Sequence, residues 1–212
     1  MSLKVSLQDL IKQLKQHNLV KTGDFVLKSG IRSNLYFDFK GLINHPKLVN
    51  ALCEELSQLI TNQSAVCVAG VPLGGIPYAT MVSHITNLPQ VLIREEPKTY
   101  GLQQQIEGYV SGTKIILVED VITTGQSVIN TINILKANHI DIAQIICILD
   151  RAQGGVDKII ELGYDVSCLY KASDFTGTLK SIEPFDYKMI DLWDVYSMPV
   201  YFQNKIKEGA KL

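Results

Sequence analysis

Residues Ile115-Ile116-Leu117-Val118-Glu119-Asp120-Val121-Ile122-Thr123-Thr124-Gly125-Gln126-Ser127 carry more information than any other stretch of this chain. The apolar run Lys114–Val118 predicts a buried strand that ends in two adjacent carboxylates, Glu119 and Asp120. A Thr-Thr-Gly-x-Ser turn then opens a helix predicted over Gln126–Ala137. Backbone N–H groups at a helix start, with hydroxyls beside them, form a site for a phosphate monoester. Gly125 lets the backbone approach that phosphate closely. Carboxylates beside such a cradle would repel phosphate. They fit hydroxyls instead, accepting charge-assisted hydrogen bonds from a ribose whose 5′-phosphate occupies the turn. The alternative is an ordinary strand-to-helix junction with capping threonines, and it leaves two acids at a buried strand end without a purpose. A Walker lysine and a GxGxxG run are both absent from the sequence, which removes the motif support for nucleoside triphosphates and dinucleotides.

Outward from this segment the pattern is regular. Apolar runs at Ala65–Ala69, Gln90–Ile93, Lys114–Val118 and Ala143–Leu149 alternate with helical stretches near Ile76–Thr86, Gln126–Ala137 and Val156–Leu162, and the run Val166–Tyr170 follows. Near-continuous β-branched runs between helices predict an α/β fold with a mostly parallel twisted sheet flanked by helices. Upstream, Ser6 caps a helix striped by Leu7, Leu10, Ile11 and Leu14. Two strand-like runs follow, Phe25–Lys28 and Leu35–Phe39, with a turn over Ser29–Asn34. Pro46 is placed to begin a helix reaching about Ile60. The long connection Glu95–Gly112 holds three glycines and three consecutive glutamines, the composition and length of a functional lid.

The 212 residues suit one domain with embellishments. A hydrophobic share of 46% is ample for a core, and a formal net charge of −1 gives no basic field for nucleic acid. No apolar run has transmembrane length, no signal-peptide pattern opens the chain, and a cytoplasmic address is the expectation. Cys53, Cys67, Cys147 and Cys168 are scattered, without CxxC or nearby histidine, and read as small buried hydrophobes. His84 and His139 fall on predicted helices and are not taken as catalysts.

The thirteen residues resemble the phosphoribosyl pyrophosphate signature of the type I phosphoribosyltransferases. The resemblance implies Glu119 and Asp120 on the ribose hydroxyls, and Val121, Ile122, Thr123, Thr124, Gly125, Gln126 and Ser127 around the phosphoribosyl group. It also implies Mg²⁺, held mainly by substrate pyrophosphate and hydroxyls rather than by a protein cage. The signature leaves the acceptor base open, and four further segments narrow it. Gly23–Gly30 with Leu35-Tyr36-Phe37 resembles the N-terminal hood of orotate phosphoribosyltransferases, in which Lys28 and the rings of Tyr36 and Phe37 meet the substrates. Gly70–Pro77 resembles the pyrophosphate loop, with Leu73 and Gly74 at the pyrophosphate and Pro72–Leu73 the candidate for a non-prolyl cis peptide. Arg94-x-x-x-Lys98-x-Tyr100-Gly101 resembles the start of the catalytic loop, and Asp150-Arg151 the segment whose arginine binds the orotate carboxylate; Thr123 also faces the base. The likeness spans about residues 20–170 and implies one domain over 1–212, with a hood near 1–40, a core near 45–170 and a C-terminal extension over 171–212.

On this resemblance the chain transfers phosphoribosyl from phosphoribosyl pyrophosphate to orotate, as a homodimer that exchanges its loop between sites. Three positions depart from the family pattern: Glu95 follows the loop arginine where a basic residue is usual, Tyr100 replaces a common histidine, and Gly74 replaces a common lysine. Two rivals stay open. One is transfer to a purine or uracil, which Arg151 opposes because neither base carries a carboxylate. The other is a non-catalytic sensor of phosphoribosyl pyrophosphate, which Glu95 and Gly74 favour.

Overall fold

A computed structural model describes residues 7–17, 19–26, 32–62, 64–96, 105–108 and 114–179. All of them lie within one compact unit, Met1–Ile182. The predicted cap Ser6, the hood residue Lys28 and the predicted catalytic-loop residues Lys98 and Tyr100 fall outside the described residues.

Six strands form the main sheet: β3 (Ala65–Gly70), β4 (Gln90–Ile93), β5 (Ile106–Glu107), β6 (Lys114–Ile122), β7 (Asp141–Asp150) and β8 (Val166–Lys171). Their spatial order is β5-β4-β3-β6-β7-β8. Every pair is parallel except β4–β5 at one edge. Three helices follow strands in the crossover positions: α3 (Gly75–Thr86), α4 (Gln126–Ala137) and α5 (Gly155–Glu161). They lie on both faces, because the central strands β3, β6 and β7 bury side chains on both sides. On β6, Ile116 and Val118 enter a core with α2 (Pro46–Gln58), α3 and α1 (Leu7–Gln16), whereas Ile115 and Leu117 enter a second core with α4 and α5. Burying one such side chain fully contributes about 1.5–3 kcal/mol, so the near-continuous apolar runs fix the sheet at the centre. Phe175, on α6 (Ala172–Leu179), is fully buried in the first core together with Leu10 and Leu14 of α1.

The separate hairpin β1 (Val20–Val26) and β2 (Arg32–Phe37) differs from the sequence expectation. β1 starts five residues earlier than predicted, since Val20, Lys21 and Thr22 pair with Phe37, Tyr36 and Leu35. Polar Lys21 and Thr22 on the strand hide its period. The register then shifts between Thr22 and Phe25, where two residues oppose one. The residues Arg32–Asn34, read as turn, continue the ladder as strand.

Candidate functional site

The most consequential correction concerns the acid pair. β6 does not end before Glu119; it runs on to Ile122, because β7 continues beside it, with Glu119 opposite Cys147 and Ile122 opposite Asp150. Strand alternation starts the two side chains on opposite sides of β6, but the Glu119 carboxyl bends back toward Asp120 and the two acids stay in hydrogen-bonding contact. Glu119 turns toward α4, and Asp120 toward Gly74 and Tyr78 on the α3 side. Both are buried, at 4% and 8% exposure. Glu119 Oε1 accepts the Asp120 N–H at 3.0 Å, and Asp120 Oδ1 accepts the Val121 N–H at 2.8 Å. Burial, and then the neighbouring Asp120, push the Glu119 carboxyl well above the ordinary carboxylate range.

Past Ile122 the chain turns through Thr123, Thr124 and Gly125 into α4. Gly125 has φ 77°, the left-handed conformation that glycine adopts without strain. The turn is fastened to the next strand-to-helix loop: Arg151 donates its backbone N–H to Ile122 O at 2.9 Å, and Gly155 to Thr123 O at 3.1 Å. A cavity of about 580 Å³ opens here, lined by Glu119, the whole run Val121–Val128 and the α4 residues Asn130, Thr131 and Ile134. Thus the structure brings Glu119 and Thr123, Thr124, Gly125, Gln126 and Ser127 together at one helix N-terminus. This arrangement can hold an anion at the turn and hydroxyls at the acid.

Across β6, the β3–α3 turn carries Leu73 and Gly74, and the Pro72–Leu73 peptide is cis, as the resemblance implies. A Cβ added to Gly74 would stand 2.6 Å from Asp120 Oδ1, so any side chain here would displace that carboxylate. Gly74 is therefore not simply a missing lysine; it leaves room for Asp120.

Arg151 is buried, with its guanidinium carbon 5.2 Å from the centre of the Phe37 ring, and burial lowers its pKa. Asp150 Oδ1 accepts the Ala152 N–H at 2.8 Å and so shapes the turn after Arg151. Tyr36 and Phe37 do not point the same way. Successive residues of β2 face opposite ways, so Phe37 is buried at 7% exposure against Phe175 and Arg151 while Tyr36 is 41% exposed beside Phe25.

Arg94 is not among the cavity residues. Its Nε and Nη2 both donate to Glu107 Oε1, at 3.1 and 3.0 Å, across the β4–β5 edge. Gln105 Nε2 donates to the carbonyls of Arg94 and Glu95 and closes the neck of the connection. Glu95 and Glu96 line the cavity instead. Sequence reasoning missed Glu96, Gln105 and also Gln153, whose buried Oε1 has no hydrogen-bond partner among the described residues, in the turn just after Arg151. An acceptor left without a donor carries no sequence signal. Only its place in the Asp150–Gly155 segment could have marked it.

Fold and site together are those of a phosphoribosyl transferase domain, and the family model of that description matches residues 41–169. The orotate phosphoribosyltransferase of Methanocaldococcus jannaschii is 36% identical over 170 residues, covering 80% of this chain and 96% of that protein. The one from Methanosphaera stadtmanae is 35% identical, covering 78% and 94%. The crystal structure of orotate phosphoribosyltransferase from Aeropyrum pernix superposes with a TM-score of 0.68 at 28% identity, covering 80% of this chain and 98% of that one. The chain belongs to the orotate phosphoribosyltransferase family.

Proposed function

We propose that this protein transfers the 5-phosphoribosyl group of phosphoribosyl pyrophosphate to orotate, yielding orotidine 5′-monophosphate and pyrophosphate for pyrimidine nucleotide synthesis. The observation that carries the reading is the cavity in which Glu119 meets the Val121–Val128 turn, one strand away from the buried guanidinium of Arg151. Thr123–Ser127 and the first N–H groups of α4 take the 5′-phosphate. Glu119 and Asp120, adjacent near the end of β6, accept the ribose hydroxyls. Arg151, its guanidinium beside the Phe37 ring, pairs with the carboxylate of orotate, and Gln153 Oε1, unpartnered among the described residues, is available to an N–H of the base.

Chemistry proceeds by displacement at the anomeric carbon: a ring nitrogen of orotate bonds to it as pyrophosphate leaves. Orotate is an electron-rich anion, so no strong side-chain base is required. The protein contributes positioning and charge stabilisation. Among the described residues no three His, Cys, Asp or Glu side chains cluster as a metal cage. Mg²⁺ held through the substrate, with Glu119 or Asp120 within reach of its hydroxyls, fits that donor set. When bound, it would neutralise charge on the departing pyrophosphate.

By resemblance, Arg94, Lys98 and Tyr100 serve the pyrophosphate from a neighbouring subunit, in a cytoplasmic homodimer. Mixing Lys98→Ala with Asp120→Asn subunits tests this. About half of the dimers would be mixed with one intact site each, restoring roughly a quarter of wild-type activity, whereas a loop acting in its own subunit restores none.

Glu95 and Glu96 in the cavity, with Arg94 tied to Glu107, favour a second reading, a sensor that binds phosphoribosyl pyrophosphate without turnover. Incubating the purified protein with phosphoribosyl pyrophosphate, Mg²⁺ and orotate, uracil or adenine separates them. Turnover of orotate alone supports the proposal, and tight binding without product supports the sensor.

A further inference from the structure

Two of the four cysteines stand side by side. Cys147 on β7 and Cys168 on β8 are directly registered partners in a parallel pair, and both pack on the α4–α5 face of the sheet. Strands are spaced about 4.7–4.9 Å apart, inside the roughly 4.4–6.8 Å between Cα atoms that a disulfide spans. Both thiols are free; Cys147 is buried and Cys168 half-buried. Cys53 and Cys67 lie on other elements: Cys53 is on α2, its thiol pushed up to about 12 by burial, and Cys67 is on β3.

Cys147 is also next to the chemistry. It stands opposite Glu119 in the β6–β7 ladder, and its Sγ lies 3.5 Å from the carbonyl oxygen of Asp120 and 3.4 Å from that of Leu149. A movement of Cys147 toward β8 is thus a movement away from the acid pair.

We propose that Cys147 and Cys168 are a modification site: a hydroperoxide oxidises them to a cross-strand disulfide, and that bond weakens the phosphoribosyl site by disturbing β6 at Glu119 and Asp120. The half-buried Cys168 reacts first. Its thiolate attacks the peroxide, an S–O bond forms as O–O breaks, and the alcohol or water leaves with the proton. Cys147 then attacks the sulfenic sulfur, S–S forms, S–O breaks, and hydroxide departs as water with the Cys147 proton. In sum, two thiols and one hydroperoxide give one disulfide, one alcohol and one water; sulfur is oxidised by two electrons and the peroxide reduced by two.

Geometry makes this a switch rather than a staple. Cβ atoms of registered parallel partners sit about one strand spacing apart, ~4.8 Å, wider than the ~3.5–4.5 Å of an unstrained disulfide. Closing it must pull β7 and β8 together, and a strained bond of that kind is readily reduced.

The test treats the full-length protein with hydrogen peroxide and reads two quantities, the mass of linked peptides and the affinity for phosphoribosyl pyrophosphate by calorimetry. Neither depends on which base is the acceptor, so failure here is distinct from failure of the orotate reading. Expected are a Cys147–Cys168 cross-linked peptide two hydrogens lighter and an affinity lower by about fivefold or more, both reversed by dithiothreitol. Cys168→Ser and Cys168→Ala proteins, folded by circular dichroism, should keep their affinity under the same peroxide. Absence of the cross-link, a cross-link with unchanged affinity, or an equal loss in the Cys168 variants would overturn the proposal.

Discussion

Glu119 and Gln144 are both polar, both almost wholly buried at 4% and 1% exposure, and stand on neighbouring strands, yet the fold treats them in opposite ways. Gln144, toward the start of β7, is satisfied by the chain. Its Nε2 donates to Leu59 O and Ser167 Oγ at 2.9 and 3.1 Å, and its Oε1 accepts N–H groups from Thr61 and Asn62 at 3.0 and 3.4 Å. Glu119, near the end of β6, receives the Asp120 N–H, and burial pushes its carboxyl well above the ordinary range. One group closes a loop onto the sheet. The other lines a cavity at the carboxyl ends of the strands, where open α/β sheets bind their ligands. Polar burial alone therefore does not mark a site; a buried acid facing a cavity at that edge does.

The largest expected effect tests the partner of the acid pair across the site. Arg151→Ala should raise the KM for orotate by roughly 100-fold, as two charge-assisted hydrogen bonds together contribute about 3 kcal/mol. The KM for phosphoribosyl pyrophosphate should stay nearly constant. Equal effects on both substrates would assign Arg151 a structural role over Phe37 instead. Next, Asp120→Asn should lower kcat/KM for phosphoribosyl pyrophosphate about 10- to 100-fold, since a charged acceptor contributes ~1.5–3 kcal/mol, while the melting temperature holds. Wild-type turnover in that variant would remove the ribose assignment.

Gln144→Leu is the mirror experiment. It leaves buried groups of the Leu59–Asn62 segment without partners, at about 1–3 kcal/mol, and should lower the melting temperature by roughly 3–10 °C. The folded fraction should keep its KM values. A loss of affinity without loss of stability would break the contrast between the two strands.

Why much of this was legible lies in the period of the residues. Strands β3, β4 and β7 and helices α3 and α4 lie within a residue or two of their expected ranges; β3 and β7 bury both faces and so read as apolar runs, and β4 is an apolar run although its Leu92 is exposed. The Thr-Thr-Gly-x-Ser turn was visible because its residues are contiguous, with the left-handed Gly125 as the N-cap of α4. What escaped depends on neighbours distant in sequence. β6 runs through Glu119 and Asp120 only because β7 offers partners up to Asp150. β5 has two residues, too few for any period. The burial of Phe37 depends on Phe175, 138 positions later, whose ring packs edge-on against it. Arg94 finds Glu107 across a strand pair that the sequence does not announce.

A single variant, Glu119→Gln, tests the central claim that the fold holds an unfavourable group in readiness for a ligand. A carboxyl whose folded pKa is raised binds more protons folded than unfolded between its ordinary and its raised value, so stability falls as pH rises through that window. The glutamine removes this term. Thermal unfolding of the ligand-free variant at neutral pH should therefore occur higher than in the wild type, by about 2–4 °C for each kcal/mol relieved, with a flatter dependence on pH. The same protein should bind phosphoribosyl pyrophosphate about tenfold more weakly. A variant that lost both stability and affinity, or neither, would contradict the account.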